Sequence, residues 1–203
     1  MKEREAEREQ RIHVPDKVRL ETTGRESMVT AEVETEQIEL ITGEITLLEV
    51  DALVFYAEPN LELGSGFGTA ISIRGGPTIK KELEGMGPIG TGEVVVSGAG
   101  NLKANYIIHA VGPRFLEEDI EKILETTILN SLKCAEEVEA KSIAFPPMGT
   151  GFYGISLDLC SRTLVEIVFE YLKTSKTLKQ VIICVQDSKE YEPFRKQISK
   201  VTG

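Results

Sequence analysis

The feature that most constrains the fold is an alternation of two hydrophobic periods along the chain. Short apolar runs rich in β-branched residues recur as DALVFYA (51–57), EVVVSGA (93–99), NYIIHAV (105–111), SIAFP (142–146) and QVIICVQ (180–186). Runs of this length and continuity predict strands buried on both faces. Between them lie segments with helical spacing. Ile120, Ile123, Leu124, Ile128, Leu132 and Ala135 share one face, as do Cys160, Leu164, Ile167, Val168 and Tyr171. A last helix is predicted over about Ser188 to Lys200, with Tyr191 and Phe194 on its inner side. Strands alternating with helices predict a layered α/β domain with a mixed sheet.

The start of the chain differs. Residues 1 to about 15 are dense in Glu, Arg and Lys and have almost nothing to bury, which predicts a solvated helix or a disordered arm. KVRLETT (17–23) and SMVTAEVE (27–34) then alternate in and out around a turn-like GRE, and QIELITG (37–43) continues as a further strand. The expected organisation is a charged extension over 1–30, leading into a first strand, and one domain over 31–203.

Charge and cysteine usage narrow the function classes. The 203 residues carry a net charge of −10, a field that repels a phosphate backbone and argues against nonspecific nucleic-acid binding. Such a field leaves room for a small anion, because backbone N–H groups bind phosphate without basic side chains. Cys134, Cys160 and Cys184 lie far apart in apolar patterns with no metal-ligand spacing, so they read as small buried hydrophobes of a reducing compartment. No apolar run is long enough for a membrane span and the N-terminus is charged, so the expected location is the cytoplasm, with no membrane partner.

Two strand-end loops are glycine-rich. LGSGFG (63–68) follows the first buried run, and GTGFYG (149–154) follows SIAFPPM. Each leads into a helical pattern, so each can aim consecutive N–H groups at an anion, the helix dipole adding to the attraction. LGSGFG lacks the Lys of a P-loop and the spacing of a dinucleotide fingerprint.

In order, GEITLLEVDALV, LGSGFGTAI, GTGEVVVSGAGNLKANYIIHAVGPRF and SIAFPPMGTGFYGISLDLCSRTL closely resemble the macrodomain, the ADP-ribose-binding, Appr-1''-p processing-like family, over about Gln37 to Gln197. The resemblance implies a three-layer α/β/α fold, six mixed strands between helices on both faces, and a cleft across the strand ends. It places Glu44, with Ile45 beside it, at the adenine amino group. Ala57 lies at the strand exit, and Gly64, Ser65, Gly66 and Phe67 would wrap the distal ribose and diphosphate. Gly149, Thr150, Gly151, Phe152 and Tyr153 would reach the diphosphate from the other side. ADP-ribose is then a ligand, and neither a cofactor nor a metal is implied.

The sequence departs from hydrolytic members at three places. Glu58 stands where they carry an Asn at the distal ribose, Gly68 where they tend to carry an acid, and Gln186 where an aromatic commonly stacks on adenine. Glu58, close to Tyr56 and Asn60, can be read as a general base or as a carboxylate facing water before Pro59. His109, inside a strand run, reads as a hydrogen-bonded core residue. The expected function is binding of ADP-ribose or a related nucleotide diphosphate. Two alternatives stand beside it: a hydrolase acting on ADP-ribosylated proteins or O-acetyl-ADP-ribose, and an assembly protein with a degenerate cleft, oligomerised through its N-terminal arm.

Overall fold

The computed structural model describes residues 22–23, 26–33, 36–64 and 66–202; the charged arm and Ser65 lie outside them. Its strands are β1 (Thr22–Thr23), β2 (Glu26–Val33), β3 (Glu36–Thr42), β4 (Ala52–Tyr56), β5 (Val94–Gly98), β6 (Tyr106–Ala110), β7 (Ser142–Phe145) and β8 (Gln180–Val185). They form one sheet in the order β1-β2-β3-β8-β7-β4-β6-β5. The inner pairs β3/β8, β8/β7, β7/β4 and β4/β6 are parallel, while β1/β2, β2/β3 and β5/β6 are antiparallel. The expected six-stranded mixed sheet is present as β3 to β5 in that order, and β1 and β2 extend it at the β3 edge. Residue 30, the expected end of the extension, falls within β2.

Among the described residues five helices cover the sheet: α1 (Phe67–Gly75), α2 (Pro77–Leu83), α3 (Ile120–Glu137), α4 (Leu157–Leu172) and α5 (Ser188–Thr202). Alternation of side chains along each strand divides the core in two. On one face, Leu124, Ile128, Leu132, Leu164, Val168 and Phe194 from α3, α4 and α5 pack on Val54, Tyr56, Ile108, Phe145 and Ile183. On the other, Ile71, Ile79 and Leu83 from α1 and α2 pack on Leu53, Phe55, Ile107 and Ile182. The result is the three-layer α/β/α architecture. All five residues of β4 are buried, as expected of a central strand covered on both faces.

The helical periods are realised closely. α3 starts at Ile120 as the spacing predicts, α4 begins three residues before Cys160, and α5 presents buried Tyr191 and Phe194. α2 has no counterpart among the sequence expectations. It is one short helix with Pro77 at its first position, where the missing N–H costs nothing. All three cysteines are buried and free. Among the described residues no helix is long and apolar enough to cross a membrane.

Candidate functional site

β4 and β7 are parallel neighbours, with Ala52 opposite Ile143 and Leu53 opposite Ala144, so their carboxyl ends open on the same side of the sheet. The two glycine-rich loops leave from those ends. The last residues of β4 face opposite ways, and each holds one loop. Phe55 meets Phe67 at the start of α1 edge-on, with ring centroids 5.5 Å apart. Tyr56, on the other face, packs its ring 4.8 Å from that of Tyr153 and donates its hydroxyl to the Pro113 carbonyl. Both loops therefore flank a single strand end.

Gly149 is a glycine for a steric reason. Its φ is +70°, and a Cβ there would lie 2.8 Å from Ile155 Cγ1 and 2.9 Å from the Tyr56 hydroxyl. Within the loop, Gly154 N–H donates to the Gly151 carbonyl at 3.1 Å, Ile155 N–H to the Gly149 carbonyl at 3.0 Å and the Thr150 hydroxyl to the Pro147 carbonyl at 3.4 Å. Among the described residues the N–H groups of Thr150, Gly151, Phe152 and Tyr153 donate to no protein acceptor. Gly151 is exposed, with nothing within 4 Å of a Cβ placed on it. In the first loop, Gly64 and Gly66 are equally open, and Gly66 takes φ +52° to enter α1. The N–H groups of Gly66, Phe67 and Gly68 bond to no described residue; the Gly66 carbonyl accepts from Thr69 N–H at 3.1 Å.

Glu58 is neither alone nor simply solvated. Its Oε2 lies 2.7 Å from the Arg114 guanidinium and its Oε1 accepts the Tyr153 hydroxyl at 2.8 Å. Burial, followed by this hydrogen bond to the carboxylate, pushes the Tyr153 phenol well above its ordinary range. The Arg114 guanidinium also stands 6.0 Å from the Tyr153 ring centroid. Arg114 was not singled out from the sequence. The available signal was register: Tyr56 pairs with Ala110 across β4 and β6, so charges just beyond those residues leave the sheet side by side.

The remaining candidates fall as follows. Glu44 precedes a 3-10 turn, Ile45–Leu47, without capping it through its side chain. Its exposed carboxylate accepts the Thr46 hydroxyl at 3.0 Å and faces Arg74 at 3.8 Å. Ile45 and Ala57 are buried in the α1/α2-side core. Asn60 accepts the Glu62 N–H through Oδ1, which turns it onto its own backbone. Phe152 is 94% exposed, while Tyr153 is fastened between Tyr56 and Glu58. Gly68 is buried, and a Cβ there would stand 3.0 Å from Phe55 Cζ and 3.2 Å from Leu63 Cα. A side chain at that position would require Phe55 and Leu63 to give by a few tenths of an ångström. Gln186 is exposed, its N–H bonded to Glu190. His109 is fully buried, with Nε2 2.8 Å from the Ser97 hydroxyl and Nδ1 unpartnered.

Comparison with known proteins agrees with this fold. A family model described as Macro domain matches residues 56–164. The chain is 40% identical over 167 residues to a macro domain-containing protein of Caldanaerobacter subterraneus, a match covering 79% of this chain and 95% of that one. The chain belongs to the macrodomain family.

Other similarities extend this picture. An uncharacterized protein of Saccharolobus solfataricus is 42% identical over 163 residues, covering 78% of this macrodomain and 90% of its own length. The solved structure of an Oceanobacillus iheyensis macrodomain with ADP superposes with a TM-score of 0.83 at 22% identity, covering 87% of this chain and 97% of that one. A Trypanosoma brucei macrodomain in complex with ADP gives a TM-score of 0.75 at 26% identity, covering 79% of this chain and 68% of the other. In this macrodomain the strand exit carries Glu58 with its Arg114 and Tyr153 partners, and the tightly packed Gly68.

Proposed function

We propose that this macrodomain binds ADP-ribose or a related nucleotide diphosphate, holding the diphosphate through main-chain N–H groups of the two glycine-rich loops. The observation that carries the reading is the set of N–H groups at Thr150, Gly151, Phe152 and Tyr153 that have no partner among the described residues, in a loop packed through Tyr153 beside the strand end that the Gly66–Gly68 segment also flanks. Oriented amides attract an anion without an added cation, which suits a chain of net charge −10. The ADP seen in the related Oceanobacillus iheyensis and Trypanosoma brucei structures supports the ligand class.

Glu58 fits this reading better than a hydrolytic one. Both its oxygens are engaged by Arg114 and Tyr153, contacts that tie the carboxylate to the second loop. The ion pair also offsets the repulsion that a bare carboxylate would exert on a phosphate. Glu44 at the adenine end and the Gly64–Phe67 segment at the distal ribose complete the proposed contacts, with Ser65 among them.

Calorimetric titration with ADP-ribose tests the proposal. Binding is expected for the wild type and is expected to vanish in Gly151→Glu, because the new carboxylate fills the loop with bulk and like charge. The space around Gly151 is open, so this variant should keep its melting temperature. Absence of heat from the wild type at millimolar ADP-ribose would overturn the reading.

A further inference from the structure

Beside the proposed ligand loop the surface presents three large apolar side chains to water. Phe152 is 94% exposed, Leu116 83% and Phe115 64%. They belong to one structural unit: the Phe115 N–H donates to the Tyr153 carbonyl at 2.8 Å, and Phe115 Cβ would be 3.0 Å from a Cβ on Gly154. The rim is thus continuous with the unpartnered amides. Leu116 is held outward at a cost, since its φ is +76°, a conformation that disfavours a side chain of this kind. Exposed apolar groups clustered at the mouth of a site mark a contact surface.

The charges beside this rim specify what kind of partner fits. The chain continues from Leu116 through Glu117, Glu118 and Asp119, with Glu121 and Lys122 next. Arg114 is taken up by Glu58 and Glu121 by Arg162, at 2.7 Å each. Glu117 accepts the Arg114 main-chain N–H at 3.2 Å, which leaves its charge in place; with Glu118 and Asp119 against the single positive charge of Lys122, this stretch of chain is a net negative border.

We propose that the Phe115–Leu116–Phe152 rim docks the polypeptide that carries an ADP-ribosyl group, and that it favours carriers with basic and apolar residues next to the modified side chain. This rests on the ADP-ribose reading above and adds the carrier to it. A nucleic-acid carrier would bring phosphates against the same acidic border and is disfavoured.

The test compares four probes: free ADP-ribose, a peptide ADP-ribosylated between Lys and Leu flanks, the same peptide with Glu flanks, and an ADP-ribosylated oligonucleotide. The Lys/Leu peptide is expected to bind about tenfold tighter than free ADP-ribose at low salt, the advantage shrinking as salt screens the border. Leu116→Asn, which suits the left-handed backbone, and Glu118→Lys should each remove most of that advantage and leave free ADP-ribose affinity unchanged. Equal affinity for the Lys/Leu peptide and free ADP-ribose would overturn the rim proposal while sparing the ligand reading. So would preference for the Glu peptide or the oligonucleotide. Failure of all four probes to bind would instead remove the ligand reading itself.

Discussion

Gly149 and Gly151 stand two residues apart and are glycine for different reasons. Gly149 is packed, with Tyr56 and Ile155 where its Cβ would go and φ at +70°. Gly149→Ala is therefore expected to cost about 1–3 kcal/mol of stability, read from urea unfolding, through both overpacking and backbone strain. Gly151→Ala meets nothing and should be close to neutral in the same measurement. Both residues look alike as letters in GTGFYG; their roles separate only once the neighbours are in place. The Glu58–Arg114 pair is a similar case. Glu58 was visible as a departure at a strand exit, but its partner is 56 positions away in sequence, and nothing local announces the pairing. With side chains 39% and 51% exposed, the pair contributes at most about 1 kcal/mol to folding, so its importance is to the charge of the site.

Among the elements, α4 bears most directly on the site because its start anchors the second glycine loop. Ser156 caps it, accepting the Leu159 N–H through its hydroxyl at 3.2 Å. Ser156→Ala is expected to lower stability by about 1 kcal/mol in thermal unfolding, with ADP-ribose affinity little changed, because the cap lies past the open amides. The long elements were legible from periodicity, since 3.6- and 2-residue repeats arise from burial of a single face. α2 was not: its seven residues bury only Ile79 and Leu83, too few to mark a period. The two N-terminal strands of the sheet follow alternating patterns that were readable, and they join β3 by local antiparallel pairings, Thr23 opposite Glu26 and Val33 opposite Glu36; what no local pattern encodes is the pairing of β3 with β8, Gln37 opposite Gln180.

For the molecule as a whole, His109 couples folding to pH. It lies on β6, between β4 and the last strand of the sheet, β5, pairing with Phe55 and Val95, and burial pushes its imidazole down from 6.5 to about 4. Below about 6.5 the unfolded chain takes up a proton that the folded chain refuses. Its contribution to stability is thus complete above that pH and is lost as pH falls toward 4. Between pH 7.5 and 5 this amounts to about 2 kcal/mol. Urea unfolding at the two pH values should show that loss in the wild type and a clearly smaller one in His109→Gln. An identical loss in both would assign the pH dependence to the carboxylates instead.

The layered α/β class, the long helices and the strands, the two glycine-rich loops and the family were all readable from the sequence, because these follow from local burial periods and from motif order. That both loops flank the end of β4, and that Glu58 is held by Arg114 and Tyr153, emerged only from the folded arrangement. Those are contacts between residues distant along the chain. They exist because a parallel sheet gathers the ends of β4, β6 and β7 on one side, where side chains unrelated in sequence meet.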